Sequence, residues 1–210
     1  GFLKEASKLG KDNLWEAQIF VASSMKRNWT VTMAAEHVNS GRRVVILTGR
    51  RQEVDRLARE LSSKLTKRSK HIILASHGGT PLSVREEYRQ SYIRSESGGV
   101  GACLIGTHDA WGTAIDGLQS TDVAIMNSLP WTPRILNQSE TRFTRQGQSR
   151  RVTILYPIAE GTVDEQVVEN LVNRLEALGE VMDGEEESLA ARETIAGLDQ
   201  GDEMLNEILL

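Results

Sequence analysis

The sequence predicts an α/β domain built on a mostly parallel sheet. Three observations carry that expectation. Five short apolar runs, largely β-branched, are spread along the chain: Val44–Thr48, His71–Ala75, Ala102–Gly106, Asp122–Asn127 and Val152–Tyr156. Continuous rather than alternating runs mark strands buried on both faces. The segments between them carry helical spacing, and alternation of strand and helix implies a parallel sheet covered on both sides. A chain of 210 residues is long enough for one sizeable domain with appendages.

Each element has its own signal. Residues 1–40 lack proline and mix apolar with charged positions, so they read as a helical lead-in, with Trp15, Ile19, Met25 and Trp29 as packing residues. Gly41 marks the start of the main lobe, 41–160. After the first strand, Val54, Leu57, Ala58, Leu61 and Leu65 recur at helical spacing. After the second, a turn at Gly78-Gly79 precedes a helix whose start is marked by Ser83 and Glu86, a capping-box pair. Thr162 and Glu165 form another such pair at the head of a helix over 161–182, with Val167, Val168, Leu171 and Leu175 on its apolar stripe. Residues 183–210 read as an acidic tail with short helical spacings, dispensable for the fold.

Charge and cysteine content narrow the function classes. The net charge is −4, but it is unevenly placed. Ten Lys and Arg face three acids between Arg42 and Lys70, whereas eleven acids face one Arg from Glu176 onward. That asymmetry predicts a basic working face and an acidic end. Cys103 is the only cysteine, so no disulfide framework or cysteine metal site forms within one chain. His37, His71, His77 and His108 lack metal-ligand spacing and read as structural or lone polar contacts. No apolar run reaches membrane-spanning length, and the expected compartment is the cytosol or the nucleus.

One stretch carries the chemistry: Trp131–Gln148, WTPRILNQSETRFTRQGQ. Thr132 suits an N-cap, Pro133 suits the first helical position, and Gly147 suits a left-handed stop. As one helix, the stretch places Gln138, Arg142 and Arg145 on one face, with Leu136 and Phe143 on the other. Two guanidinium forks and an amide in a row match phosphate oxygens.

This stretch resembles motif VI of superfamily 2 helicases in its Swi/Snf-like form, Q-x-x-x-R-x-x-R-x-G-Q. Further segments follow the same family in order. VVILTGRR (Val44–Arg51) resembles motif IV, and HGGTPLSVREEYRQSY (His77–Tyr92) resembles the element that sits beside the DNA backbone. IGTHDAWGTAIDGLQSTDVAI (Ile105–Ile125) resembles motif V, and GTVDEQVVENLV (Gly161–Val172) resembles the helix that braces the second lobe against the first. Motif V departs from the family: Asp109-Ala110-Trp111-Gly112-Thr113 stands where a Gly-Gly-x-Gly-Leu run is usual. Trp111 there either packs in the core, the favoured reading, or stacks on a base.

The resemblance spans about Lys26 to Met182. It implies a RecA-like three-layer fold with five to six strands, flanked by helices at both ends. It implies strand contacts from Arg50, Arg51, Gly78, Gly79, Arg85, Thr107 and His108. It implies nucleotide contacts from Asp116, Gly112 and Gln138, and an arginine finger at Arg145 with Arg142 and Gln138 beside it. The chain shows neither a phosphate-loop motif nor an acidic metal-binding box. ATP and magnesium are therefore expected to bind only together with a first RecA-like lobe, in cis or in trans. The leading expectation is the second lobe of a DNA translocase that tracks double-stranded DNA without regard to sequence. The alternatives are a degenerate lobe that binds nucleic acid or protein without catalysis, and a lobe of an RNA helicase.

Overall fold

Each of the five predicted apolar runs forms a strand, and every neighbouring pair is parallel. The structure is a computed structural model describing residues 14–66, 70–96, 98–112, 117–144 and 151–181. The elements run α1 (Leu14–Asn39), β1 (Arg43–Thr48), α2 (Arg51–Lys64), β2 (His71–Ser76), α3 (Leu82–Arg94) and β3 (Gly101–Thr107). A single π-helical turn (His108–Gly112) follows, then β4 (Val123–Met126), α4 (Pro133–Glu140), β5 (Thr153–Leu155) and α5 (Val163–Val181). The sheet order is β2-β3-β1-β4-β5. β1, β3 and β4 are buried along their whole lengths, whereas the edge strands β2 and β5 are only partly buried. Strands covered on both faces tolerate no alternation, which is why the central three are the most continuously apolar.

Alternate residues of the strands feed two cores. Val44, Ile46, Cys103, Ile105, Val123 and Ile125 meet Val31, Ala34, Ala35 and Val38 of α1 and Val54, Leu57 and Leu61 of α2. Val45, Leu47, Leu104, Ala124 and Met126 meet Tyr92 of α3, together with Trp111, Leu118 and Phe143. A third cluster joins Ala22 of α1, Leu136 of α4, and Val163, Val167 and Leu171 of α5.

The packing face of α1 differs from the one expected. Met25 and Trp29 are 56% and 42% exposed. Ile19 is partly buried on the third cluster, and the Trp15 side chain lies outside the described residues. The helix instead presents small residues to the sheet because it lies very close to it. A Cβ on Gly101 would sit 1.9 Å from the Val38 carbonyl oxygen. Polar latches fix this close approach. Thr30 Oγ1 donates to Asn127 Oδ1 at 2.7 Å, and Arg27 grips Glu53 through Nε at 2.7 Å and Nη2 at 2.9 Å. Lys26 Nζ meets Asp164 Oδ2 of α5 at 2.6 Å, with both groups buried.

The capping boxes also shift. α3 starts at Leu82 behind Pro81, so Ser83 falls inside the first turn and does not cap. Glu86 instead pairs with Arg89 at 2.8 and 2.6 Å and with Gln90 at 3.0 Å. These partners hold its carboxyl down at about 2. At α5 both expected residues work, one position displaced. The Asp164 amide donates to Thr162 Oγ1 at 3.2 Å, and the Gly161 amide donates to Glu165 Oε1 at 2.7 Å.

Candidate functional site

The loops of interest leave the carboxyl ends of the parallel strands, the edge at which such sheets bind ligands. Because β3 lies between β1 and β2, the loops after these strands flank the π turn. Arg51 opens α2 and is exposed, and its guanidinium lies against the Gly78-Gly79 turn. A Cβ on Gly78 would be 3.6 Å from Arg51 Nη2, and one on Gly79 would be 3.3 Å from Nη1 and 3.0 Å from His77 Cε1. A side chain at Gly79 would press on the imidazole and the guanidinium, whereas one at Gly78 would make ordinary contact with the guanidinium. The turn is tightly held: the Thr80 amide donates to His77 O at 2.8 Å, and the His77 amide donates to Thr80 Oγ1 at 3.1 Å. The Gly79 amide donates to His77 Nδ1 at 3.0 Å. So Arg50, Arg51, Gly78 and Gly79 share one edge, with Arg50 as the residue before α2.

Three other residues expected at the strand lie deeper, around the π turn. Arg85 is half-buried, its Nη1 donates to Ala110 O at 3.3 Å, and its Nε is buried. Its guanidinium therefore braces the π turn. Thr107 ends β3 and is 6% exposed. His108, also expected near the strand, is buried with both nitrogens on protein groups, Nε2 donating to Ser128 O at 2.7 Å and Nδ1 lying 3.3 Å from Ser139 Oγ. Burial lowers its pKa, more than Asp109 and the Ser128 carbonyl raise it, so the ring is neutral at physiological pH.

Trp111 packs in the core. It is fully buried, Nε1 donates to Ser76 Oγ at 2.8 Å, and the indole stands on Gly106, where a Cβ would lie 1.9 Å from Cδ1. The bulk of Trp111 in this loop is thus matched by a glycine in the strand beneath it. Gly112 closes the π turn, while Asp116 lies outside the described residues.

The arginine-bearing stretch begins as expected, with Thr132 extended and Pro133 at the first helical position, although the Thr132 hydroxyl makes no capping bond. The α-helix then stops at Glu140. The expectation of one helix through Arg145 is corrected over its described part: Arg142 sits in the turn that follows, where the Phe143 amide donates to Glu140 O at 2.8 Å. Leu136 and Phe143 would share one face of a continuous helix, yet they pack into different clusters. The chain must turn between them to reach both. Hydroxyls assist: Ser139 Oγ donates to Ile135 O at 2.9 Å, and Thr141 Oγ1 donates to Gln138 O at 3.2 Å, bonds that compete with the helix. Gln138 and Arg142 are both half-buried. Arg145, Gly147 and Gln148 lie outside the described residues.

Sequence reasoning missed Ser76, Ser128, Ser139 and the Glu140–Tyr156 pair. Tyr156 donates its hydroxyl to Glu140 Oε1, and burial pushes the carboxyl of Glu140 above its usual range. These are isolated polar residues with no spacing pattern, and only their partners reveal them.

Among the described residues, no group of three or more His, Cys, Asp or Glu could hold a metal ion, and no helix is long and apolar enough to cross a membrane. No family model matches the chain. The SWI/SNF-related matrix-associated actin-dependent regulator of chromatin subfamily A-like protein 1 of Xenopus tropicalis is 35% identical over 63 residues, covering 30% of this chain and 7% of that protein. Protein CHROMATIN REMODELING 19 of Arabidopsis thaliana is 32% identical over 92 residues, covering 44% of this chain and 12% of that protein. The chain therefore matches only a small part of the length of these relatives. Among solved structures, the C-terminal part of the Fun30 ATPase domain superposes with a TM-score of 0.56 at 19% identity, covering 68% of this chain and 43% of that one. The E. coli DEAD-box protein SrmB, solved bound to regulator of ribonuclease activity A, gives a TM-score of 0.55 at 15% identity, covering 72% and 79%. By sequence, then, part of the chain is distantly similar to these Swi/Snf-related chromatin regulators, and its fold is that of the C-terminal part of the Fun30 ATPase domain.

Proposed function

We propose that this chain is the second lobe of an ATP-dependent translocase that tracks the backbone of double-stranded DNA. The observation that carries the reading is the meeting of Arg51 with the Gly78-Gly79 turn. Two segments far apart in sequence form one exposed surface with a guanidinium over a side-chain-free backbone. Such a surface fits a phosphate: the fork supplies charge and two N–H donors, and the glycines let the phosphate approach the main chain. The Gly79 amide is already bonded to His77. In this reading the Gly78 amide faces the phosphate, with Arg50 beside it.

α4 and its following turn carry Gln138 and Arg142 at half-buried positions. Half-buried cationic and amide groups suit a nucleotide held in a cleft between two lobes. ATP, held with magnesium by the first lobe, supplies the phosphoryl group whose transfer drives stepping. Gln138 and Arg142 orient and neutralise that group, Arg145 serves as the finger, and Asp116 and Gly112 meet the sugar side. Arg85, Thr107 and His108 support the loop after β3 from within.

The test is the salt dependence of DNA binding. Each phosphate neutralised contributes about −0.9 to the slope of log affinity against log salt. Arg51→Ala is expected to weaken binding to every duplex alike and to lower the slope by about 1. An unchanged slope, or a loss confined to particular sequences, refutes the assignment.

A further inference from the structure

At the carboxyl ends of β1, β3 and β4, a buried run of polar side chains crosses from one layer of the fold to the other. Ser23 Oγ of α1 lies 3.1 Å from Ser128 Oγ, which also lies 3.1 Å from Thr48 Oγ1 of β1. The Ser128 carbonyl accepts from His108 Nε2 at 2.7 Å. His108 Nδ1 faces Ser139 Oγ of α4 at 3.3 Å, and the same hydroxyl donates to Ile135 O at 2.9 Å. Ser23, Thr48, His108, Ser128 and Ser139 are all buried.

The ring's proton follows from its partners. A carbonyl only accepts, so Nε2 carries the hydrogen, and in a neutral ring Nδ1 is left as an acceptor. The Ser139 hydroxyl has one proton and two acceptors in reach, Ile135 O within its own helix and Nδ1 on the π turn. An imidazole is rigid, so its two ends hold the loop after β4 and the last turn of α4 at a set separation. An aliphatic side chain would fill the same space without either directional bond. A π turn is rare and frequently marks a functional site. Here it is the element that delivers the ring.

We propose that His108 is a positioning residue that ties the π turn after β3 to α4, so that the segment leading into Arg142 moves with the loop beside the DNA surface. The role of this coupling rests on the reading given under Proposed function, whereas the coupling itself is a property of the free chain.

Hydrogen exchange of the whole chain under increasing urea tests it. In the parent protein, the segments 104–112 and 133–141 are expected to open together, with one dependence on urea. Ser139→Ala removes the hydroxyl and keeps the helix. It is expected to speed exchange in 133–141 about fivefold, the loss of one buried hydrogen bond, while 104–112 and β1 keep their rates. His108→Gln keeps a donor toward Ser128 and no acceptor in the place of Nδ1 toward Ser139, and it is expected to reproduce that pattern. A residue with a merely structural role would speed β1 and both segments alike. Segments that open separately in the parent protein, or that stay joined in Ser139→Ala, overturn the proposal.

A second arm adds short duplex DNA. Slowed exchange is expected in both segments of the parent protein and only in 104–112 of Ser139→Ala. Slowing that still reaches 133–141 in Ser139→Ala contradicts the coupling. No slowing in the parent protein counts against the DNA reading instead, and the urea arm still decides the role of His108.

Discussion

Replacing Gly106 with alanine tests the packing at the centre of the candidate site. The added Cβ would lie 1.9 Å from Trp111 Cδ1, 2.4 Å from Nε1 and 3.0 Å from Ser76 O. Neither neighbour gives way easily: Ser76 O is backbone paired within the sheet, and Trp111 is fully buried. An ordinary carbon–carbon contact needs about 3.5 Å, so the indole must move by more than about 1 Å. That movement breaks the 2.8 Å bond from Nε1 to Ser76 Oγ. Overpacking costs about 1–3 kcal/mol and a buried donor left without its acceptor costs about 1–3 kcal/mol more. The expected loss is about 4 kcal/mol, a large share of the roughly 5–15 kcal/mol of a typical domain. Urea denaturation measures it. Trp111→Leu alone should cost about 2–4 kcal/mol for the space it leaves. Measured on top of Trp111→Leu, however, Gly106→Ala should cost less than about 1 kcal/mol, because the Cβ then has room. If the two losses simply add, the indole does not stand on Gly106 and the core placement of Trp111 is wrong.

Three further outcomes can be measured. Lys26→Met leaves Asp164 buried without its partner and should destabilise the protein by about 3–5 kcal/mol in the same denaturation assay. Burial lowers the pKa of His108 in the folded state below the ordinary value of an imidazole, so the unfolded chain binds the proton more readily. Stability is then fully present above about pH 6.5 and is lost as pH falls below it; His108→Gln should flatten that part of a pH-dependent melting series. Finally, when this lobe is joined to a first lobe, Arg145→Ala and Arg145→Lys should both lower ATP turnover by about 10³ or more with far smaller effects on nucleotide affinity, and near-normal turnover by Arg145→Lys would end the finger assignment.

The sequence by itself determined the sheet and its helical cover. Val44–Thr48 and Ala102–Gly106 are buried on both faces, so their composition is dictated locally and continuously, and local composition can be read without knowing any partner. Chain order also determined which residues share the candidate edge, because Arg51 and Gly78 each follow the carboxyl end of a strand in one parallel sheet. Only the tertiary structure decided how side chains meet across elements. The roll of α1 depends on how closely Val38 approaches Gly101, more than sixty residues away in sequence, which no periodicity within the helix expresses. The end of α4 depends on Leu136 and Phe143 being claimed by different clusters. The inward turn of His108 depends on Ser128 and Ser139, 20 and 31 residues further along the chain. Propensity and spacing act over a few residues, while burial and hydrogen-bond satisfaction are settled between elements. For that reason strands were legible one at a time, and the orientation of an imidazole or the stopping point of a helix was not.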